Sequence, residues 1–311
     1  MKLVSFFFFF FFFFFQNLFS QEFKFDELKV KNKNVIVEEV SAVGIDSNSN
    51  ILIFHRGNNS LFKVDPFGNV TRFYNDDIFF NSHGLKVDRY DNIWTTDINT
   101  HMVSKLNKYG DVLMVLGKKN TPGVWLINDD KSGYLDKESM PLFDKPADIA
   151  FDSEDNIYVA DGYGNNRIVK FNKNGKYLLE WGDKGSLNGQ FNLPHGITID
   201  NNDNVYVADR ENARIQVFDS KGTFINLWDE IGYPYGIKYY NGYVYMTDAR
   251  NEKVKKIDLN GNIIWEVGSP GKSLGEFGWA HGIDISKDGI IYISEILNWR
   301  VQMLKVSNED N

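Results

Sequence analysis

Apolar and polar residues trade places along most of this chain in short runs, and the runs come in a repeating order. "GITID" (Gly196–Asp200) and "NVYVAD" (Asn204–Asp209) alternate with period two, and the shared "DNNDN" between them is turn chemistry. "RIQVF" and "FINLW" follow, joined by "DSKGT", where Gly222 supplies the positive φ of a tight hairpin. Gly68, Gly110, Gly175 and Gly261 hold the same place elsewhere. The unit predicted is a four-stranded antiparallel meander.

The unit recurs six times. It is clearest as "PADIAFDSEDNIYVADGYGNNRIVKFNKNGKYLLEWG" from Pro146 and "PHGITIDNNDNVYVADRENARIQVFDSKGTFINLWD" from Pro194. Other copies begin at Val43, Ser82, Pro234 and Ala280, each about 40 residues long, the spacing of a propeller blade. The fold class predicted is all-β, a six-bladed β-propeller. The copy from Ala280 is cut short and lacks its outer strand, while "KNVIVEEV" (Lys33–Val40) has no partner of its own. A strand from roughly Asn34 to Glu39 is therefore expected to pair with Val301–Val306 and close the ring, leaving no open edge. Between the second and third copies, Lys118 to Lys145 has no period and reads as an excursion over one face. Its Asp129–Asp130 pair lacks calcium-loop spacing and reads as solvated.

The first twenty residues stand apart. Lys2 precedes ten phenylalanines, Phe6 to Phe15, and Ser20 ends the segment, the pattern of a secretory signal peptide. The apolar run falls short of the ~20 residues that cross a bilayer. Residues 1–20 are read as a signal peptide and 21–311 as the propeller, giving an exported protein, periplasmic or secreted, with no membrane association after cleavage. The 42 acidic and 34 basic residues give a net charge of −8, which argues against a nucleic-acid partner. There is no cysteine, so any metal must rest on imidazole and oxygen.

Only five histidines are present, and three share one slot. Aligned two residues before the first strand's anchoring Ile or Leu, the copies hold Val43, His83, Ala147, His195, Tyr235 and His281. Histidine fills every second copy, so His83, His195 and His281 stand a third of a turn apart and converge on the axis. Three nitrogen donors with an open fourth position are what a catalytic divalent ion needs. Imidazole without thiolate suits zinc, with other first-row divalents still open. A second slot, after strand two, holds Asp97, Asp161, Asp209, Asp248 and Glu295, with His55 in the first copy; these are read as turn caps. Arg56 and Arg210 follow that slot, and the third copy's extra residue presents Tyr163 between Gly162 and Gly164, glycines read as granting unusual backbone conformations. Two arginines and a phenol on one rim point to an anionic substrate with an acid–base group. His101 fits neither slot and is read as a surface residue.

"IFHRG", "SHGL", "DGYGNNRIVKF", "GQFNLPHGITI" and "VADRENARIQVF" are NHL-repeat sequence, and from about Val43 to Val306 the chain resembles the peptidyl-α-hydroxyglycine α-amidating lyases. That resemblance implies zinc on His83, His195 and His281, Tyr163 as base, and Arg56 and Arg210 as substrate-binding groups. It implies a small-molecule or peptide substrate with an α-hydroxyglycine-like end, split into an amide and glyoxylate. The family carries an aspartate after its third zinc histidine, where this chain has Gly282. The family's calcium site, with backbone ligands falling at Val43 and Leu85, thereby loses its carboxylate. Its disulfide cysteines are replaced by Gly164, Tyr206 and Val217. Two alternatives remain: a non-catalytic NHL propeller binding a peptide, glycan or envelope partner, and a metal-dependent hydrolase or lactonase on the same scaffold.

Overall fold

A computed structural model describes residues 21–75, 77–121 and 142–307. The Met1–Ser20 segment and the Asp129–Asp130 pair lie outside them. Six four-stranded antiparallel sheets form a ring of blades. The innermost strands are Val40–Ile45, Ser82–Val87, Asp148–Phe151, Pro194–Ile199, Pro234–Tyr240 and Ala280–Ile285, and each contacts its neighbours around the ring. Among the described residues the one helical element is a 3-10 turn at Arg210–Asn212, and no helix is long and apolar enough to cross a membrane.

Period-two alternation works here because each blade is covered on both faces by its neighbours. One face of blade four places Tyr206, Ala208, Ile215 and Val217 against Ile237, Val244 and Met246 of blade five. Its other face packs Ile197, Val205, Val207 and Phe218 on Ala150, Tyr158 and Ile168 of blade three. Fully burying each Val, Ile, Met or Phe side chain among them contributes roughly 1.5–3 kcal/mol. The turn chemistry is as expected: Asp200 Oδ1 accepts from the backbone N–H groups of Asn202 and Asn204 at 2.8 and 2.9 Å. Gly222 has φ of 81°, and its four counterparts are likewise positive.

The ring closes through an N-terminal strand, but not the stretch expected. Glu22–Glu27 pairs antiparallel with Arg300–Ser307, in register from Glu22 opposite Ser307 to Glu27 opposite Gln302. Phe23 and Phe25 meet Trp265 and Phe277 edge-on at 5.3 and 6.0 Å. Residues 35–39 form no strand; Val35 and Val37 lie against the core that blade one shares with blade six. Geometry explains the shift. The chain must cross from the outermost to the innermost strand before Val40, some three spacings of ~4.8 Å, and residues 28–39 make that crossing. A closing strand ending at Glu39 would leave no residues for it.

Candidate active site

Five of the six innermost strands, all but that of blade three, carry an irregularity near their start, and in three of them a histidine falls on it. The register against strand two shifts between Pro194 and Gly196, between Ala280 and Gly282, and between Ser82 and Leu85, so His195, His281 and His83 fall on the bulges. Blade one shifts between Val40 and Ala42, with Val40 opposite His55 as Ala280 is opposite Glu295. Its slot residue is therefore Ser41 and not Val43: "VGID" imitates the "HGIT" pattern two residues too late.

The three imidazoles form a near-equilateral triangle, with ring centroids 4.7, 4.9 and 4.8 Å apart. All are buried, and one ligand atom from each lies within 4.8 Å of the others. Each Nδ1 meets a backbone carbonyl of the next blade: His83 to Ala147 O at 2.7 Å, His195 to Tyr235 O at 3.1 Å and His281 to Ser41 O at 2.6 Å. A carbonyl can only accept, so each Nδ1 carries the proton and each Nε2 keeps a bare lone pair. The glycine after each histidine makes this contact reachable. A Cβ on Gly196 would stand 2.5 Å from Tyr235 O, one on Gly84 2.5 Å from Ala147 O, and one on Gly282 3.0 Å from Ser41 O.

Tyr163 closes the cluster. Its hydroxyl lies 2.9 Å from His83 Nε2 and 3.1 Å from His195 Nε2. One phenol proton cannot serve three lone pairs, and protonating the rings is no remedy. Burial drives all three imidazoles well below their ordinary pKa, His281 to about 3; Arg210 pushes all three the same way, and Arg56 does so for His83 and His281. Three convergent neutral donors in a buried site with too few protons form a donor set that could hold a metal ion. Gly162 and Gly164 do not adopt the left-handed conformation; they are glycine for want of space. A Cβ at Gly162 would meet Pro194 O at under 2 Å, and one at Gly164 the Asp144 carboxyl.

Arg210 Nη1 reaches the Tyr163 hydroxyl at 3.4 Å, and its guanidinium lies over the Tyr163 and Tyr235 rings at 5.4 and 4.8 Å. Arg56 is exposed, with Nε 3.5 Å from Ser82 O, and acts on the cluster through its charge. The arginines do not make Tyr163 a phenolate unaided. Burial raises its pKa, Arg210 and Arg56 oppose this, and burial wins.

The strand-two slot does cap turns. Asp97 accepts from the N–H groups of Phe80, Asn81, Asn99 and Thr100, and Asp209 from that of Asn192. His55 does the same in blade one: Nδ1 accepts from Glu38 and Gly57 at 3.2 Å. His101 is not a surface residue. It is buried at φ 59°, and Nδ1 accepts from the Lys145 N–H of the next blade at 3.1 Å. Asn166 and Glu252, also left-handed, hold Leu193 and Trp279 alike. This clamp across blades recurs, though its side chain changes each time.

Sequence reasoning overlooked several neighbours. Tyr235, the slot residue of blade five, sits with its ring 5.0 Å from His195 and 5.9 Å from His281. Asp148 stands where four blades have the glycine after the slot, and it lines the axial cavity with the three histidines, Val43 and Leu85. Its carboxylate is occupied by Lys86 at 3.1 Å and by the Ile197 N–H at 3.1 Å. Gly282 brings no carboxylate to this cavity, and Ser294 Oγ lies 2.7 Å from where its Cβ would stand.

The NHL repeat family matches residues 143–171 and 191–218. A peptidyl-glycine alpha-amidating monooxygenase B of Xenopus laevis is 30% identical over 88% of this chain and 36% of its own length. A probable peptidyl-alpha-hydroxyglycine alpha-amidating lyase of Caenorhabditis elegans is 24% identical over 88% of this chain and 85% of its own. The chain spans about a third of the length of the amidating monooxygenases it matches. A streptogramin B lyase structure superposes with a TM-score of 0.64 at 15% identity, covering 92% of this chain and 98% of the other; that likeness is one of fold.

Proposed function

From its place among the NHL-repeat β-propellers related in sequence to the amidating lyases, we propose that this chain is a zinc-dependent carbon–nitrogen lyase. Its substrate is a peptide or small molecule ending in an α-hydroxyglycine-type carbinolamine, R–CO–NH–CH(OH)–COO⁻, and its products are the amide R–CO–NH2 and glyoxylate. The observation that carries the reading is the triangle of bare imidazole nitrogens with a phenol set between two of them. A propeller that only bound a partner would have no use for it.

His83, His195 and His281 would hold the ion, oriented by the carbonyls of Ala147, Tyr235 and Ser41. A divalent cation there supplies positive charge, which favours the ionised forms of the Tyr163 phenol and the substrate hydroxyl alike. Tyr163 takes the hydroxyl proton as the C–O electrons become the aldehyde carbonyl and the C–N bond breaks. The same proton then passes to the departing amide nitrogen, so the balance closes without an added reagent. Arg210 and Arg56 bind the substrate carboxylate and hold it beside the phenol. The Met1–Ser20 sequence supports export as part of this proposal.

The test is metal analysis of the purified protein, combined with glyoxylate release from an α-hydroxyglycine compound. One equivalent of zinc with stoichiometric glyoxylate and amide is expected. Protein that binds no divalent metal, or loaded protein that releases no glyoxylate, would overturn the proposal.

A further inference from the structure

The mouth of the site holds a charge arrangement that neither metal binding nor proton transfer accounts for. Glu211 lies between arginines of two blades. Arg210 Nε donates to its Oε1 at 2.9 Å, and Arg250 Nη2 donates to its Oε2 at 2.5 Å. Arg250 is stacked in turn over the Tyr233 ring at 4.3 Å. Partial burial pushes the Glu211 carboxyl up, but its hydrogen bonds to Arg250 and Arg210 outweigh this and keep it ionised. Arg210 is thus held at Nε by a carboxylate, with the Tyr163 and Tyr235 rings against its guanidinium. In this conformation Nη1 of a side chain with much rotamer freedom is directed toward Tyr163. Arg56, by contrast, is exposed, and among the described residues its guanidinium is braced by no carboxylate, with Nε 3.5 Å from Ser82 O.

We propose that Glu211 is a positioning residue. It fixes the Arg210 guanidinium before substrate arrives, and Arg250 fixes Glu211 from the neighbouring blade. The consequence for catalysis rests on the lyase reading, because Arg210 there meets the substrate carboxylate; the positioning itself does not. A preorganised guanidinium costs no ordering when the ligand binds or the transition state forms. Glu211 belongs to the short turn Arg210–Asn212, so the brace and the braced residue are adjacent in sequence while the support comes from another blade.

The experiment compares wild type, Glu211→Ala and Glu211→Gln as full-length, zinc-loaded proteins. Nitrogen-15 spectra report the Arg210 Nε–H, assigned by its loss in Arg210→Lys. A slowly exchanging resonance is expected in wild type, a fast-exchanging one in Glu211→Ala, and intermediate protection in Glu211→Gln, which keeps an acceptor. With metal content and Tm unchanged, kcat/KM on an α-hydroxyglycine substrate should fall about 10–100-fold in Glu211→Ala. Glu211→Gln should recover part of the loss. Equal protection of Arg210 in wild type and Glu211→Ala would overturn the proposal, as would kcat/KM values within twofold. If wild type itself releases no glyoxylate, the lyase reading fails, and the exchange measurement alone decides whether Glu211 positions Arg210.

Discussion

Replacing Gly196 by alanine should weaken metal binding without touching a ligand. A Cβ at Gly196 would lie 2.5 Å from Tyr235 O, and ordinary contact begins at 3.4 Å. The carbonyl must therefore retreat by about 0.9 Å, because close-packed interiors do not absorb such an overlap. It is the same carbonyl that accepts from His195 Nδ1 at 3.1 Å. A retreat along that bond stretches it to about 4 Å, past the limit of a hydrogen bond. Loss of an orienting partner of this kind typically costs 10–100-fold in metal affinity, so a drop of about that size is expected. Gly84→Ala should behave alike, with Ala147 O at 2.5 Å, and Gly282→Ala should be milder, with Ser41 O at 3.0 Å and a Ser294 hydroxyl able to swing away. Gly242→Ala is the control: nothing stands within 4 Å of its Cβ, but φ is 81°. It should cost about 1 kcal/mol of stability and leave metal binding alone. The assay is competition with a graded series of chelators, alongside thermal unfolding. A folded Gly196→Ala protein with wild-type affinity would refute the reasoning.

Other outcomes follow from the same coordinates. His83→Ala, His195→Ala and His281→Ala should each lose bound metal by elemental analysis, whereas His101→Ala should keep it and lose about 1–2 kcal/mol in denaturant unfolding for the unsatisfied Lys145 N–H. Tyr163→Phe should retain zinc and fold while kcat falls by ~10²–10⁴, measured by glyoxylate release. Removing residues 22–27 should lower Tm by about 5–10 °C, from the lost packing of Phe23 and Phe25 on Trp265 and Phe277; an unchanged Tm would mean that the ring does not depend on that strand. The metal-free protein should lose stability as pH falls from about 6.5 toward 3. Burial holds the three imidazoles unprotonated in the folded chain, His281 down to about 3, while the unfolded chain takes up protons across that window. Urea midpoints at pH 7 and pH 5 measure it.

Much of the architecture was legible because it is written in short-range signals. Period two, turn asparagines and hairpin glycines each act within a few residues, and six repetitions removed their ambiguity. The histidine slot was legible for the same reason, since recurrence in every second copy is visible without a fold. The closing strand was misplaced because "EFKFDE" and "KNVIVEEV" alternate equally well, and only the width of a blade, a distance in space, decides between them. Ser41 was missed because a bulge shifts register without any residue signature. His101 was misread because its partner, the Lys145 N–H, lies 44 residues away, and the clamp is made by His, Asn or Glu in different blades. A role filled by three residue types cannot be read from any one of them.

Why three histidines on a six-fold ring? The odd blades are not idle. Histidines on blades two, four and six each donate Nδ1–H to the slot carbonyl of blades three, five and one. The repeat therefore splits into two roles around the axis, one blade presenting an imidazole and the next fixing its tautomer and angle. Six imidazoles on one axis would crowd each other, and their lone pairs would outnumber the four positions of a tetrahedral ion. With alternation, the intervening slots are open to other work. Ser41 and Ala147 stay small, and Tyr235 places a ring against His195, His281 and Arg210. Blade three, whose slot is alanine, can turn Tyr163 inward over the histidines. The even blades thus keep the three-fold geometry of the donor set in their slots, and the asymmetry around it comes from Tyr163 of blade three, Tyr235 of blade five and Arg210, which follows strand two of blade four.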